Sequence, residues 1–529
     1  MIRGWCPSLF EPMASGDGLL VRVKPRAGGM DAPTLRGVAE AAARFGNGMV
    51  NLTGRANLQM RGLSERTLPE FTAGLLALGA ADADPAAERR RNLVTSPLAG
   101  DDPEVAAATL GVARALEAGL AGSPGSGSGD PDAARASRGA GVEPVSLDGL
   151  PGKFGFVVDG GGGCDLGSVR GDVVVRCAGA TCTVRIDGGG EGVAVGSGQA
   201  AALALSLARA FLALAGGRAG ERRRGGDAAH MSRMRDLVAA RGEAAVFAAA
   251  GLPASSDAVA ARGREAAPDA RWIATQAARE PGDAAPDPGR LVGAIRHAGT
   301  GRGAFAAAPA FGQTDAAALH ALAGLAERFG DGRVRLSPWR TLLVGGVAAR
   351  DLGLLGEACG ALGLIVAAGD PRLAVVTCPG RPRCASGEAA TPEDAPALAA
   401  LLAGRRPGGV VHLSGCAKGC AHPGRTALVL VGEPGGYGVA RNGRASDTAE
   451  RHLATVEAAW TWAAGAAEAG AAGAWIEEPW EEEDGMAGGT AVRGGGGGAA
   501  IAAQDVPPCP AAGNAAPRAP SAAPAGGAP

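Results

Sequence analysis

The sequence predicts an α+β protein made of two similar halves, followed by a C-terminal tail that does not fold. An internal repeat is the main observation: the segment Ala43–Arg55 returns as Glu327–Trp339, with every position displaced by the same 284 residues. Each copy follows an Ala/Leu-rich helical pattern and contains Arg-Phe-Gly, where the glycine is a helix C-cap signal. Alternating Val and Leu positions then predict a strand.

A second match predicts that the similarity continues beyond the repeat. Gly152–Val158 resembles Gly424–Leu430, because in each a basic residue enters an apolar strand that precedes a Gly-rich turn. We therefore expect two similar halves, joined near Asp227–Arg290. Beyond Glu481 an acidic run passes into Gly- and Ala/Pro-rich tracts, which bury too little apolar surface to fold.

Composition excludes several classes of protein. With 51 Lys and Arg against 53 Asp and Glu, the chain has no overall basic surface for nucleic acid. Residues Met1–Pro7 lack the apolar core of a secretory signal. The apolar stretch Ala200–Gly216 is short, carries Arg209 and is predicted to be a buried helix, not a membrane span. Ten cysteines in 529 residues are too few for a disulfide scaffold. We expect a cytoplasmic protein that binds neither membrane nor nucleic acid.

Two cysteine pairs in the second half give the strongest chemical signal. Cys378 and Cys384 form C-x5-C, Cys416 and Cys420 form C-x3-C, and each pair follows a short predicted strand. Four thiolates on neighbouring turns suit a [4Fe–4S] cluster, which takes one thiolate per iron. Zinc is an alternative, although its usual spacing is C-x2-C; unligated core thiols are another. The remaining cysteines form no comparable set, and Cys164, Cys177 and Cys182 are expected in the core.

The first half concentrates basic and amide side chains at strand spacing. Arg22 and Lys24 are two residues apart on one predicted strand. A second predicted strand alternates polar with apolar residues, and its polar positions are Arg55, Asn57, Gln59 and Arg61. Arg91, Asn92 and Lys153 add to the set. A solvated sheet face is one interpretation; the other is a pocket for a ligand with several carboxylates, which Arg and Lys bind by charge-assisted hydrogen bonds.

These residues resemble those of the sulfite/nitrite reductase superfamily, and most closely its precorrin-3B synthase branch. The resemblance covers about residues 3–215 and 290–465. The branch is indicated by three motifs: the opening 6–20, Leu150–Gly161, and Gly415–Pro423. Siroheme reductases usually have Pro-Asn inside C-x3-C, where this chain has Ala417-Lys418, and they usually pair two lysines where Lys153 is followed by Phe154-Gly155.

The resemblance implies both a fold and a set of site residues. Each half would be a ferredoxin-like segment plus an αβ segment of the nitrite/sulfite reductase 4Fe–4S type. The [4Fe–4S] ligands would be Cys378, Cys384, Cys416 and Cys420, and in siroheme reductases the last of these bridges to the haem iron. Contacts to the carboxylates of a macrocycle would fall on Arg22, Arg55, Asn57, Gln59, Arg61, Arg91 and Lys153.

The resemblance also implies an activity. The branch uses O2 to convert precorrin-3A to precorrin-3B, with ring hydroxylation and lactone formation, in aerobic cobalamin biosynthesis. A mononuclear non-haem iron is implied without identified ligands; His422 is a candidate. No G-x-G-x-x-G turn links a predicted strand to a helix, so NADH would act through a separate reductase as electron-donor protein. The alternatives are a siroheme-dependent sulfite or nitrite reductase and a non-catalytic macrocycle carrier.

Six segments are expected along the chain. They are a first ferredoxin-like half-domain at 1–80; a first αβ domain at 81–215 with a low-complexity loop at 121–145; a connector with a helix at 216–289; a second ferredoxin-like half-domain at 290–362; the 4Fe–4S-binding αβ domain at 363–480; and a disordered tail at 481–529.

Overall fold

The computed structural model describes residues 7–122, 146–190, 192–216, 231–252, 291–404, 406–407, 409–468 and 476–477. Within these ranges the chain forms four five-stranded sheets, a two-stranded sheet and eleven α-helices, an α+β fold as predicted. The predicted tail lies outside the described residues, as do most of the 121–145 loop and most of the connector.

The first half contains a half-domain and an αβ segment. The first half-domain comprises β1 (Met13–Ser15), β2 (Gly18–Val23), β3 (Gly29–Asp31), α1 (Ala32–Phe45), β4 (Met49–Leu52), β5 (Leu58–Leu63) and α2 (Leu68–Ala77). The first αβ segment comprises α3 (Pro85–Arg90), β6 (Leu93–Thr95), α4 (Thr109–Ala121), β7 (Phe156–Asp159), β8 (Val173–Ala178), β9 (Thr181–Ile186), β10 (Val193–Gly196) and α5 (Ser197–Leu214). Two short helices follow, α6 (Met234–Arg241) and α7 (Glu243–Ala249).

The second half repeats this order, except that it has no helix corresponding to α3 and adds the short strands β17 (Arg406–Pro407) and β22 (Ile476–Glu477). The second half-domain comprises β11 (Gly293–Arg296), β12 (Arg302–Ala307), β13 (Gln313–Asp315), α8 (Ala316–Phe329), β14 (Arg333–Leu336), β15 (Leu342–Ala348) and α9 (Leu352–Ala361). The second αβ segment comprises β16 (Val375–Thr377), α10 (Thr391–Leu401), β17 (Arg406–Pro407), β18 (Val411–Ser414), β19 (Thr426–Glu433), β20 (Gly436–Gly443), β21 (Arg451–Leu453), α11 (Val456–Glu468) and β22 (Ile476–Glu477).

The two half-domains exchange edge strands. Their sheets have the orders β1-β2-β5-β4-β13 and β11-β12-β15-β14-β3, so β13 completes the first sheet and β3 completes the second. Helices α1 and α8 begin alike, because the carboxylates of Asp31 and Asp315 accept hydrogen bonds from the N–H groups of Thr34 (2.9 Å) and Ala318 (2.8 Å). One hydrophobic core runs through both half-domains. The predicted repeat is confirmed.

Backbone conformation repeats as well. Ala56 (φ 53°) and Arg340 (φ 62°) are both left-handed and are displaced by the repeat distance, as are Ala27 (φ 46°) and Phe311 (φ 58°). Non-glycine residues are uncommon in this region of φ. The same local backbone is therefore built twice with different side chains.

The second sequence match is wrong, because it equates two strands that do not occupy equivalent positions in their sheets. The αβ sheets have the orders β10-β9-β8-β7-β6 and β16-β18-β19-β20-β21, with the strands β6-β7-β8 and β16-β18-β19 parallel. Phe156–Asp159 therefore corresponds to Val411–Ser414, and not to the segment starting at Gly424. A basic residue followed by an apolar run recurs on several strands, so this local pattern does not specify strand order.

The predicted buried helix is α5, Ser197–Leu214. It is long and apolar enough to cross a membrane, but more than half of it is buried in the protein. Its Ala, Leu and Phe side chains pack against α4 and the sheet of the first αβ segment. The helix is thus part of a core.

Candidate functional site

The four cysteines lie on two neighbouring loops, residues 378–388 and 415–421, called here the cysteine loops. They follow the adjacent parallel strands β16 and β18, whose carboxyl ends meet at one edge of the sheet. The Gly415 N–H donates to the Cys378 Sγ over 3.2 Å. The Gly415 carbonyl accepts from the Glu388 N–H over 2.7 Å, and the Lys418 Nζ donates to the Ser386 Oγ over 2.7 Å. The two loops are therefore tied together.

The thiols of these loops act on one another electrostatically. Cys420 is exposed to solvent, but partial desolvation by the surrounding loop raises its pKa, and the charges of Cys416, Cys378 and Cys384 raise it further. Within the described residues, however, no three His, Cys, Asp or Glu side chains lie close enough to hold a single metal ion. A tetrahedral zinc needs all four sulfurs about 2.3 Å from one ion. A [4Fe–4S] cluster takes one thiolate per iron, so it does not require the four sulfurs around one ion.

Glycines leave space where the loops approach each other. A Cβ at Gly415 would lie 3.2 Å from the Gly380 Cα and 3.4 Å from the Cys378 Sγ. Gly380 itself has a φ of 56° and Gly419 one of 57°, a conformation that glycine adopts without steric cost. A Cβ at Gly380 would also lie 2.5 Å from the Thr391 Oγ1, which is too close for a side chain.

The basic residues of the first half are partly as predicted. Arg22 and Gln59 are direct cross-strand partners on β2 and β5, and the Arg22 Nε donates to the Gln59 Oε1 over 3.2 Å. Arg61 follows two residues after Gln59 on the same face. Arg55 and Asn57 are not on this strand, which begins at Leu58. They lie in the turn before it, where Ala56 is left-handed. The predicted single strand face from 55 to 61 is wrong over its first half.

Two of the predicted macrocycle ligands are bound to protein groups. Arg61 is 3% exposed, and its guanidinium pairs with both oxygens of Asp17 at 2.8 and 2.9 Å. Arg91 is 2% exposed and donates to the Glu88 Oε2 over 2.8 Å. The half-buried Lys153, by contrast, has no hydrogen-bond or ion-pair partner for its side chain among the described residues.

Lys24, Asn92 and the three first-half cysteines complete the predicted set. The Lys24 Nζ donates to the Arg89 carbonyl over 3.2 Å, and Asn92 donates to the Phe154 carbonyl over 3.2 Å. Cys177 and Cys182 are buried partners on β8 and β9. Cys164 is also buried, but it lies in the turn after β7 and not on a strand.

Sequence reasoning missed two residues beside the cysteine loops. Arg340 is half-buried in the turn before β15, and its Nη2 donates to the Ala421 carbonyl over 2.8 Å. His412, on β18, is fully buried, and neither ring nitrogen has a hydrogen-bond partner among the described residues. Burial, then the charges of His422 and Arg340, lower the pKa of His412 to about 3. Because His412 lies in an apolar strand pattern, the sequence gave no signal that its ring would be buried beside the cysteine loops.

His422, the candidate iron ligand, lies near this group. Its ring centroid is 6.0 Å from that of His412. Burial is the main cause that lowers its pKa. Its Nδ1 is 3.4 Å from the Gly424 carbonyl oxygen. Two imidazoles without a third donor do not form a metal site among the described residues.

Comparison with known proteins found a matching family model, similar curated proteins and a solved structure with a similar fold. The nitrite/sulfite reductase ferredoxin-like half domain matches residues 11–78 and 297–361, which contain the two repeat copies. A precorrin-3B synthase from Sinorhizobium sp. is 32% identical over 450 residues, 84% of this chain and 84% of the relative. A ferredoxin–nitrite reductase from Synechococcus elongatus is 27% identical over 158 residues, 30% of this chain and 27% of the relative. The structure of the NirA protein of Mycobacterium tuberculosis has a similar fold, with a TM-score of 0.54, 19% identity, and coverage of 82% of this chain and 77% of that chain.

Proposed function

The chain belongs to the precorrin-3B synthase family of the nitrite/sulfite reductase superfamily, and from this premise we propose that it converts precorrin-3A to precorrin-3B as an O2-dependent monooxygenase of aerobic cobalamin biosynthesis. The product carries a new ring hydroxyl group and a lactone. We assign the activity to the cytoplasm, because thiols reserved for a metal cluster suit a reducing compartment.

One observation carries the proposal: the polar sheet face of the first half-domain meets the cysteine loops. Arg22 and Gln59 share this face with Arg61, whose guanidinium contacts the carbonyl of Arg383, the residue before Cys384. A polycarboxylate macrocycle bound on this face would thus lie beside the cysteines. Charged donors on a partly buried surface match the several carboxylates of such a substrate.

Under this proposal most of the residues either bind the substrate or support those that do, and Arg61 has a separate role. Arg22, Arg55 and Lys153 bind substrate carboxylates, while Asn57 and Gln59 contribute amide groups. Arg91 supports this set from behind, because its Nη1 donates to the Lys24 carbonyl over 2.8 Å and its Nη2 to Glu88. The guanidinium of Arg61 is already committed to Asp17, so we assign Arg61 the separate role argued in the next subsection.

Cys378, Cys384, Cys416 and Cys420 would hold the [4Fe–4S] cluster, which when bound supplies electrons one at a time. Gly380 and Gly415 allow the close approach of the two loops that this requires. We propose that the electrons come from NADH through a separate reductase. For a mononuclear non-haem iron the described residues offer no set of three donors, and we assign it no step.

Cofactor content and isotope incorporation test the proposal together. Anaerobically purified protein should contain iron and sulfide in equal amounts and no extractable tetrapyrrole. Supplied with precorrin-3A, a reductant and labelled O2, it should give a product with one labelled oxygen atom in the new hydroxyl group. Unlabelled product, or none, would refute the monooxygenase assignment.

A siroheme-dependent sulfite or nitrite reductase remains the alternative, because part of the chain is similar to ferredoxin–nitrite reductases. A haem-type absorption band, together with reduction of sulfite or nitrite, would establish it. A non-catalytic macrocycle carrier would bind the tetrapyrrole and have no need of the cysteine loops. Binding without turnover, in protein that lacks iron, would favour the carrier.

A further inference from the structure

We propose that Arg61 and Arg340 are positioning residues, one from each half-domain, which hold the two cysteine loops in the geometry that the cluster needs. The Arg61 Nη2 donates to the Arg383 carbonyl over 2.6 Å, and the Arg340 Nη2 donates to the Ala421 carbonyl over 2.8 Å. Arg383 directly precedes Cys384, and Ala421 directly follows Cys420. Each arginine thus holds a peptide next to a cysteine. The inference rests on the proposed cluster.

The peptide between Arg383 and Cys384 is held from both sides. Its carbonyl accepts from three donors of the first half-domain: the Arg61 Nη2, the Ser15 Oγ at 2.7 Å and the Gly16 N–H at 3.1 Å. Its N–H donates to the Gly380 carbonyl over 2.6 Å. With both ends fixed, the peptide plane cannot rotate, and the Cα position of Cys384 is fixed as well.

The approach of the first half-domain to this loop is close. A Cβ on Gly16 would lie 2.2 Å from the Pro382 carbonyl oxygen, closer than real Cβ contacts. Asp17 holds the Arg61 fork from the other side, and Ser15 also accepts from the Arg61 Nη2 over 2.6 Å. A bidentate carboxylate restricts the guanidinium to one orientation. The Arg61 guanidinium is therefore held in the orientation in which it also contacts the Arg383 carbonyl.

Arg340 reaches the other loop from the pseudo-equivalent turn. Its backbone is left-handed, and its side chain runs over Gly312, where an added Cβ would lie 2.8 Å from the Arg340 Cδ. An arginine in this conformation carries a steric cost that glycine would not. Its counterpart in the first repeat is Ala56, with the same backbone and no long side chain. Both turns bear this cost, but only the second carries a guanidinium, and that guanidinium contacts the Cys420 loop.

The test measures how firmly the cluster is held, independently of turnover. Iron and sulfide per folded protein, and the rate at which an iron chelator bleaches the cluster absorbance, are compared for the parent, Arg61→Gln and Arg340→Gly. Loss of one charged hydrogen bond should speed bleaching about tenfold. Arg340→Gly removes the guanidinium without straining the backbone, so it should fold. Ser15→Ala removes one of the three donors to Arg383 and serves if Arg61→Gln misfolds.

Each variant has a matched control. Ala56→Gly makes the same backbone change as Arg340→Gly in the other repeat. Arg335→Gln breaks the ion pair of the buried Arg335 with Asp331 on the second half-domain, as Arg61→Gln breaks the pair with Asp17. Both controls should bleach at the parental rate, even where the melting temperature falls.

The outcomes separate the two proposals. A parent protein without iron and sulfide refutes the proposed function. A loaded parent whose Arg61→Gln and Arg340→Gly variants bleach at the parental rate refutes only the positioning role. Equal acceleration in the controls refutes it too, because cluster loss would then follow general stability. Faster bleaching in Arg340→Gly and in Arg61→Gln or Ser15→Ala, with unchanged controls, supports it.

Discussion

The two half-domains have the same backbone, but they differ in the sheet face that meets an αβ segment. This face carries polar side chains in the first half-domain and apolar side chains in the second. In the first, Arg22 and Gln59 are cross-strand partners; in the second, the corresponding partners are Ala306 and Leu343. These two pack in an apolar cluster whose buried members are Leu98, Ala99, Val105, Cys164, Leu291, Ala304, Ala306 and Leu343. The repeated fold thus offers two equivalent surfaces, of which one is filled by apolar side chains and the other remains polar.

The loops after the parallel strands differ in the same way. In the second half these are the cysteine loops; in the first, Ser96 directly follows β6 and Asp159 is the last residue of β7. The Asp159 carboxylate is buried and pairs with the Arg176 Nη2 (2.7 Å), the Ser96 Oγ (3.2 Å) and two backbone N–H groups. A hydrogen-bond network thus occupies the position that the second half uses for thiols. Side chains, and not topology, distinguish the candidate site from its counterpart.

Replacing a cluster ligand should have the largest effect. Cys416→Ser or Cys384→Ser should abolish the iron–sulfur absorbance and most of the activity, because a hydroxyl group is a poor ligand for the cluster. Cys164→Ser, in the first half, should keep the absorbance although it buries a hydroxyl group. Visible spectra and iron analysis give the result. Unchanged iron in Cys416→Ser would remove the cluster assignment.

Breaking the network of the first half should cost stability and nothing else. Asp159→Ala removes the carboxylate that pairs with Arg176 and accepts from two backbone N–H groups, so the free energy of unfolding should fall by about 3 kcal/mol. Denaturant unfolding measures this change. The cluster absorbance of the folded variant should equal that of the parent. Loss of the cluster would mean that the two loop systems are coupled and that the contrast between the halves is incomplete.

Removing the polar face should weaken substrate binding. Arg22→Ala installs the residue that the second half has at Ala306. A hydrogen bond to a charged partner contributes about 1.5–3 kcal/mol, so the dissociation constant for precorrin-3A should rise roughly 10- to 150-fold. Equilibrium titration of anaerobic protein measures it, with the cluster spectrum as the control. Parental affinity in this variant would mean that the macrocycle does not bind on this face.

The sequence was sufficient where the signal was local. The glycine after Arg-Phe, the Ala/Leu helical pattern and the alternating Val and Leu positions predict both repeat copies, and the cysteine pairs predict their own loops. It was not sufficient where a side chain's partner is distant along the chain. Arg61 has the spacing of a ligand-binding residue, yet its guanidinium meets Asp17 and the Arg383 carbonyl, and no local pattern specifies such partners.

Backbone conformation was the second feature that could not be predicted from the sequence. Arg55, Asn57, Gln59 and Arg61 alternate as a strand would, but Ala56 adopts a left-handed φ and the strand starts only at Leu58. Alanine gives no signal of that conformation, in contrast to glycine. For the same reason the sequence did not predict the left-handed turn at Arg340. That turn is recognisable only when the two repeats are compared in the structure.

The smallest effect should come from Gln59, and it decides how the polar face works. Gln59→Leu installs the residue of the second half and removes the acceptor of the Arg22 Nε. If Gln59 acts by orienting Arg22, the dissociation constant should rise about two- to twelvefold, the value of one ordinary hydrogen bond. In the Arg22→Ala background the same change should then have no further effect, because residues that act through one contact are not additive. Titration of precorrin-3A into the two single variants and the double variant gives this cycle. An additive double variant would show that Gln59 contacts the substrate itself, so that the face consists of independent ligands and not of one oriented arginine.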